Sequence, residues 1–225
     1  MSLELSGTTG VKGVAGSVSA PSIVGDDTNT GISFPSADTI KFSTGGVERM
    51  QITNSGVTGT GISAGKILQV VHTVFTGTFS RATSNYDYGA IVTSNAITPS
   101  ATDSKILIFA VMHMASGNSS GRFGYRVMRV PVGGSAAHIT PTQYGAGDGN
   151  RQQIASGGRQ DNGAQHTPCH FIGIDAPSTT SPVTYSIYTS GESSDTIYLN
   201  RTYDNTDSAS HYRTSSSITL MEVSG

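Results

Sequence analysis

One candidate for covalent chemistry is the segment from Gly117 to Gly121, which matches the Gly-x-Ser-x-Gly nucleophile elbow around Ser119. In that motif, a strained turn between a strand and a helix exposes the serine. The residues after Gly121 predict another strand, with no helix-forming sequence. We therefore interpret residues 117–121 as a hairpin turn and expect no catalytic serine.

A second candidate is a metal site at His166, Cys169 and His170, since thiolate and imidazole suit zinc. Their spacing matches no established zinc pattern. In a strand, residues 166 and 170 point one way and Cys169 the other. We expect no metal and no cofactor within one chain, while a histidine ring contributed by three subunits around an axis stays open.

Acid and base catalysis on glycans needs a pair of carboxylates. The candidates lie in turn-rich sequence, where Asp is favoured for its own backbone hydrogen bonds, and no spacing selects a pair. They are Asp148, Asp161, Glu192, Asp195, Asp204 and Asp207. We expect a protein that is not an enzyme.

Binding chemistry is better represented, by tyrosines, arginines and an asparagine in two polar stretches, residues 141–166 and 201–215. Flat amphipathic rings and guanidinium forks suit contact with saccharide or protein surfaces. We expect the two stretches to line one end of the molecule and to bind a receptor. The candidate receptor-binding residues are Tyr144, Arg151, Arg159, Asn162, Tyr203, Tyr212 and Arg213.

Composition predicts that β-strands position these residues. Gly, Ser and Thr make up 88 of the 225 residues, and 17 Ile and 16 Val stand against 6 Leu. β-Branched residues favour strands. A net charge of −2 gives no basic footprint for nucleic acid, and a single cysteine excludes an intrachain disulfide.

From residue 65 onward, apolar runs alternate with polar turns at the spacing of a sandwich or barrel. Eight runs are typical of a jelly-roll-like antiparallel β-sandwich. They are residues 66–76, 90–98, 104–115, 122–130, 169–175, 183–189, 196–200 and 216–223.

Residues 1–64 form a different region, with short apolar islands between turn signals. Three short strands are predicted, at 32–34, 39–43 and 47–53. They are too few to bury a core within one chain, so this attachment or shaft segment requires partner chains. The first residues also lack the basic start and apolar run of a signal peptide, and we expect no Sec export.

Two of the predicted strands are apolar on both faces, residues 106–114 and 218–223. A monomeric sandwich needs only one apolar face per strand, so the second face is expected to meet another subunit or, alternatively, the chain's own long loop. The residues assigned to the trimer interface or core are Ile106, Ile108, Phe109, Met112, Met114 and Met221.

The stretch GDDTNTGISFPSADTIKFSTGGVERMQITNSG, residues 25–56, resembles the repeated module of bacteriophage tail-fibre proteins, especially those of marine phages. The segments KILQVVHT, AITPSATDSKILI, APSTTSPVTYSIY and SSSITLMEVSG resemble the C-terminal domain that often follows it.

This resemblance implies a virion protein made in the host cytoplasm, an intertwined homotrimeric fibre. Its N-terminal segment would dock on other virion proteins, and its C-terminal domain would bind a host glycan or protein. A chain of 225 residues leaves little shaft. A purely structural tail adaptor, a head fibre or a capsid decoration protein is therefore the alternative.

Overall fold

The computed structural model describes residues 4–6, 10–12, 15–60, 67–140, 143–192 and 194–225. The chain separates into two compact units, Met1–Gly65 and Lys66–Gly225. The predicted boundary between residues 64 and 65 lies outside the described residues. Within the described residues there are strands and turns and no helix, and hence no helix long and apolar enough to cross a membrane.

The first unit contains a small antiparallel sheet in which each strand pairs with the next along the chain. Its strands and a preceding two-stranded pair are β1 (Glu4–Ser6), β2 (Gly10–Lys12), β3 (Ile23–Val24), β4 (Gly31–Ser33), β5 (Ile40–Thr44), β6 (Val47–Thr53) and β7 (Gly56–Thr58). Strands β4, β5 and β6 correspond to the three predicted strands.

This unit has no apolar core among residues 15–60. Its only buried side chains there are those of Ser33 and Ser43, while Ile23, Val47 and Val57 are exposed. A sheet of short strands with both faces wetted is marginal by itself. This is the physical basis for expecting partner chains around it.

The described residues of the second unit form eleven strands. They are β8 (Ile67–Phe75), β9 (Phe79–Thr83), β10 (Gly89–Thr93), β11 (Lys105–Ser116), β12 (Arg122–Pro131), β13 (Ala137–His138), β14 (Ser156–Arg159), β15 (Thr167–Asp175), β16 (Val183–Gly191), β17 (Asp195–Leu199) and β18 (Ser216–Val223). All pairings are antiparallel.

The strands form two sheets. In sheet one, β8, β18, β11 and β15 are neighbours in that order, and β17 with β9 extends the far end of β11. In sheet two, the order is β10, β16, β12 and β14, with β13 also paired to β12. When the eight principal strands are counted along the chain, sheet one reads 1-8-3-6 and sheet two reads 2-7-4-5. This double Greek-key order is that of a jelly roll, and it confirms the predicted fold class.

The hydrophobic core lies between the two sheets. From sheet one, β11 supplies Ile106, Ile108, Met112 and Met114, all fully buried. Strands β12 and β16 of sheet two contribute apolar side chains and the buried rings of two tyrosines. Alternation along each strand therefore divides every sheet into a core face and an outer face.

Three details differ from the sequence predictions. Residues 117–121 are not a hairpin turn, because β11 and β12 belong to different sheets and the turn carries the chain across the sandwich. The predicted strand 90–98 ends at Thr93, and Ile97 makes an isolated bridge to Val183. Strand β14 lies inside the polar stretch 141–166, where no strand is predicted from sequence; residues 141–142 of this stretch are outside the described part.

Candidate functional site

The outer face of sheet one is largely apolar, although several of its apolar side chains are exposed among the described residues of the second unit. Going from β8 through β18 and β11 to β15, the three central rows of paired residues are Val70–Met221–Leu107–Ile174, His72–Thr219–Phe109–Ile172 and Val74–Ser217–Val111–His170. Val70 is 55% exposed, Val74 50% and Ile172 72%. We refer to these twelve residues as the apolar face. Contiguous apolar patches of this kind mark interaction surfaces.

The residues assigned from sequence to the trimer interface or core divide between the two faces of sheet one. Ile106, Ile108, Met112 and Met114 are buried in the chain's own core. Phe109 and Met221 belong to the apolar face and are partly exposed. The two-faced pattern in the sequence thus marks both a core face and an outward apolar face on the same strands.

A second surface is a cleft on the outer side of sheet two, with a volume of about 130 Å³. Its lining residues are Tyr86, Tyr88, Arg122, Phe123, Gly124, Gln152, Ile154, Ser190 and Gly191. Gly124 and Ser190 are paired across β12 and β16. They alternate with the core-facing Tyr125 and Thr189, so they form part of the outer face. A mostly apolar lining with a few polar groups is typical of small-ligand sites.

The turn between β9 and β10 positions the tyrosines of this cleft. Asn85 and Tyr86 have φ values of 45° and 63°, the left-handed region that non-glycine residues rarely adopt. Asp87 fixes the turn: it accepts a hydrogen bond from the Ser84 amide at 2.7 Å and pairs with Arg81 at 2.6 Å. These contacts maintain a strained turn with Tyr86 at its apex.

Two hydroxyl groups at the cleft are buried and under-satisfied. Tyr88 Oη and Ser190 Oγ lie near each other, but neither makes a hydrogen bond of good geometry in the described structure. Ser190 is 3% exposed. Burial raises the pKa of Tyr88, so its hydroxyl stays protonated and available as a donor. The Arg126 guanidinium lies 3.9 Å from the centre of the Tyr88 ring and holds that ring in place.

Among the receptor-binding candidates, Tyr144 is placed differently from the expectation of an exposed loop residue. Its hydroxyl donates to the Val127 carbonyl at 2.5 Å, and its ring packs edge-on against His138 at 5.6 Å. Burial raises the pKa of Tyr144 to about 12. The side chain therefore attaches the loop to β12.

The other candidates fall at separate places on the surface. Arg151 pairs with Asp148 and, with Tyr86, borders a depression next to the cleft. Arg159, at the end of β14, pairs with Asp161 at 3.6 Å. Both arginine side chains are more than half exposed.

The two polar stretches meet where the Asp204 amide donates to the Gly163 carbonyl at 3.1 Å. Asn162 lies beside this junction, and Tyr203 stacks on Tyr198 with ring centres 6.3 Å apart. Tyr212 and Arg213 are exposed further along the second stretch. The structure therefore brings the two stretches into contact at this junction, but it does not gather the seven residues into one site.

Cys169 points into the core, opposite to His170, as expected from strand alternation. Burial raises the pKa of its thiol to about 11, so it is a poor nucleophile. His113 and His166 have ring centres 5.5 Å apart. No cluster of three or more His, Cys, Asp or Glu suited to a metal is found among the described residues.

Sequence reasoning missed Tyr86 and Tyr88. The available signal was the segment Asn-Tyr-Asp-Tyr-Gly at 85–89, a turn sequence that carries two aromatic rings. Its partners Ile154 and Ser190 are distant in sequence, and only the fold brings them together.

No protein-family model matches this chain, and no curated protein matches it. Solved structures of infectious bursal disease virus are similar at low level. For the Gx strain the identity is 10%, the TM-score is 0.35, and the likeness covers 69% of this chain and 38% of that one. For the Gt strain the identity is 7%, the TM-score is 0.38, and the likeness covers 82% of this chain and 49% of that one.

The VP2 subviral particle of the same virus gives 8% identity and a TM-score of 0.31, covering 82% of this chain and 48% of that one. The chain thus spans less than half the length of each of these structures. At such low scores, the fold class rests on the chain's own strand order.

Proposed function

We propose that this protein is a non-enzymatic structural and adhesive component of a bacteriophage particle. Three copies associate through the apolar face of sheet one and around residues 1–64. The first unit joins other virion proteins, and the surfaces of the second unit contact the host cell.

The observation that carries the proposal is the apolar face. Four strands present a row without any polar side chain, Val70–Met221–Leu107–Ile174, next to the exposed Ile172. Burial of such apolar surface favours association by roughly 25 cal/mol of free energy per Å². A second copy of this chain is the occupant that we propose, because residues 15–60 of the first unit also form no apolar core and need partner chains.

Adhesion and the phage origin are supported by the resemblance of residues 25–56 to the repeated module of tail fibres. A jelly roll by itself implies no function. A trimer presents each surface three times, so contacts that are individually weak gain strength through effective concentration.

The test of assembly is the solution mass of the full chain by light scattering, expected near three times 23.2 kDa. Replacing Ile172 with Asp is expected to give monomers, because a charge would have to be buried at the interface. Ile172 is already 72% exposed, so the fold tolerates the change. The control Val132→Asp alters another exposed apolar residue, 67% exposed, in the turn after β12. It is expected to leave the mass unchanged. A monomeric wild-type chain contradicts the proposal.

Adhesion is tested by incubating the labelled full chain with host cells. Binding that survives washing by the wild type and falls with the monomeric Ile172→Asp variant supports a multivalent attachment protein. A trimer that does not bind cells identifies the purely structural alternative, an adaptor or decoration protein.

A further inference from the structure

We propose that the cleft on the outer side of sheet two binds one neutral sugar residue of a glycan. This inference rests on the proposed adhesive function and specifies the chemical class of its ligand. The cleft lies on the opposite side of the sandwich from the apolar face, so a trimer formed through sheet one leaves the cleft accessible.

The walls of the cleft suit the apolar face of a sugar ring. Tyr86 is 41% exposed at the rim, and Ile154 lines the interior. Aromatic rings offer large contact area with only two rotatable bonds to immobilise. The contacts of Asp87 with Ser84 and Arg81 hold the turn and orient Tyr86 before a ligand binds. This preorganisation lowers the entropy cost of binding.

The floor of the cleft suits a hydroxyl-bearing ligand. Buried hydroxyls without good hydrogen bonds are uncommon in native proteins, and a ligand or water is the usual partner. Ser190 Oγ and Tyr88 Oη are such groups. A sugar hydroxyl both donates and accepts, so one that reaches the floor of the cleft can pair with either group. The exposed Gln152 amide at the rim provides a further donor and acceptor.

The charges around the cleft favour a neutral ligand over an anionic one. Arg122 at the rim pairs with Glu192 at 3.2 Å. Arg126 donates to the Gln153 carbonyl at 2.7 Å and lies over the Tyr88 ring. An anionic group would have to compete with these existing partners.

Gly124 gives the cleft its depth. A Cβ atom at this position would lie 2.7 Å from Ile154 Cγ2, so any side chain would displace the cleft wall. The strand approaches the loop this closely only because the residue is glycine.

The experiment is saturation-transfer NMR on the full chain with the methyl glycosides of glucose, galactose, mannose and N-acetylglucosamine. At least one is expected to receive saturation on its ring protons, with a dissociation constant on the order of 1 mM for so few contact atoms. Ser190→Ala and Tyr86→Ala are each expected to weaken binding by about tenfold. Ser190→Ala is expected to unfold like the wild type, since its hydroxyl makes no good hydrogen bond in the protein.

The matched control is Phe79→Ala, which removes an aromatic ring that is 36% exposed outside the cleft and is expected to bind as the wild type does. The proposal is overturned if none of the four glycosides receives saturation, or if both cleft variants bind normally. It is also overturned if N-acetyl-phenylalanine amide receives saturation while the glycosides do not, because that result would indicate a protein ligand. The solution mass of the same samples separates the two proposals: a trimer without sugar binding contradicts only this one, whereas a monomeric wild type contradicts the proposed function.

Discussion

At the scale of single residues, Glu222 shows how a buried charge is accommodated. Its carboxylate is fully buried at the end of β18 and accepts hydrogen bonds from Gln69 Nε2 and from the amide and hydroxyl of Ser100, all at 2.6 Å. Burial by itself raises the pKa of Glu222, but these hydrogen bonds to the charged form outweigh it and lower the pKa to about 2 from 4.5.

A folded-state pKa below the unfolded value means that this carboxylate contributes stability at neutral pH, and that the contribution is lost as the pH falls from about 4.5 to about 2. Glu222→Gln is expected to lower the free energy of unfolding at pH 7 by about 2 kcal/mol. The difference from the wild type should shrink with acidification over that range. Urea unfolding at several pH values measures it. Glu192→Gln, at the rim pair with Arg122, is the control expected to change little. A pH-independent difference for Glu222→Gln would contradict the assignment.

At the scale of elements, Asp175 ties the end of β15 in sheet one to sheet two. Its buried carboxylate accepts hydrogen bonds from Arg129 Nη1 on β12 at 3.0 Å, from Tyr185 Oη on β16 at 2.8 Å and from the Thr140 amide at 2.6 Å. One side chain thus fixes two strands of sheet two and the Thr140 segment against sheet one.

Removing this carboxylate leaves the largely buried Arg129 without its counterion. Asp175→Ala is expected to lower the free energy of unfolding by about 3–5 kcal/mol, the cost of breaking a buried ion pair. The comparison is Asp161→Ala, which breaks the exposed pair with Arg159 and should cost no more than about 1 kcal/mol. Similar urea midpoints for the two variants would show that Asp175 is not an inter-sheet tie.

At the scale of the whole molecule, the two units differ in how they obtain stability. Residues 66–225 contain the full core cluster, whereas no apolar side chain is buried in residues 15–60. The second unit also carries both proposed surfaces, one on the outer side of each sheet.

We therefore expect residues 66–225, expressed alone, to unfold cooperatively and to remain associated through the apolar face. Residues 1–65 alone should give no cooperative transition at low concentration. Circular dichroism during heating and light scattering measure both properties. If the 66–225 fragment is monomeric while the full chain is trimeric, the first unit and not the apolar face is responsible for assembly.

The jelly roll was predictable because strand formation and burial follow local patterns. Alternating Ile, Met and Val in residues 104–115 and 216–223 predict the strands and their core faces, since side chains alternate strictly along a strand. Strand β14 was not predictable from its sequence Ser-Gly-Gly-Arg, because these residues form a strand by pairing with the adjacent edge of β12, which is distant in sequence. The turn at 117–121 looked like a hairpin because its sequence carries no information about which sheet the next strand joins.

The sequence by itself determined the all-β class, seven of the eight principal strands, the weak N-terminal segment and a second apolar face, because each depends on residue types at short spacing. Only the tertiary structure decided which residues share a surface. Tyr86, Ile154 and Ser190 meet at one cleft, and Tyr144 is attached to β12. The reason is physical: local preferences act over a few residues, while a binding surface is made by strand pairings that join positions about a hundred residues apart.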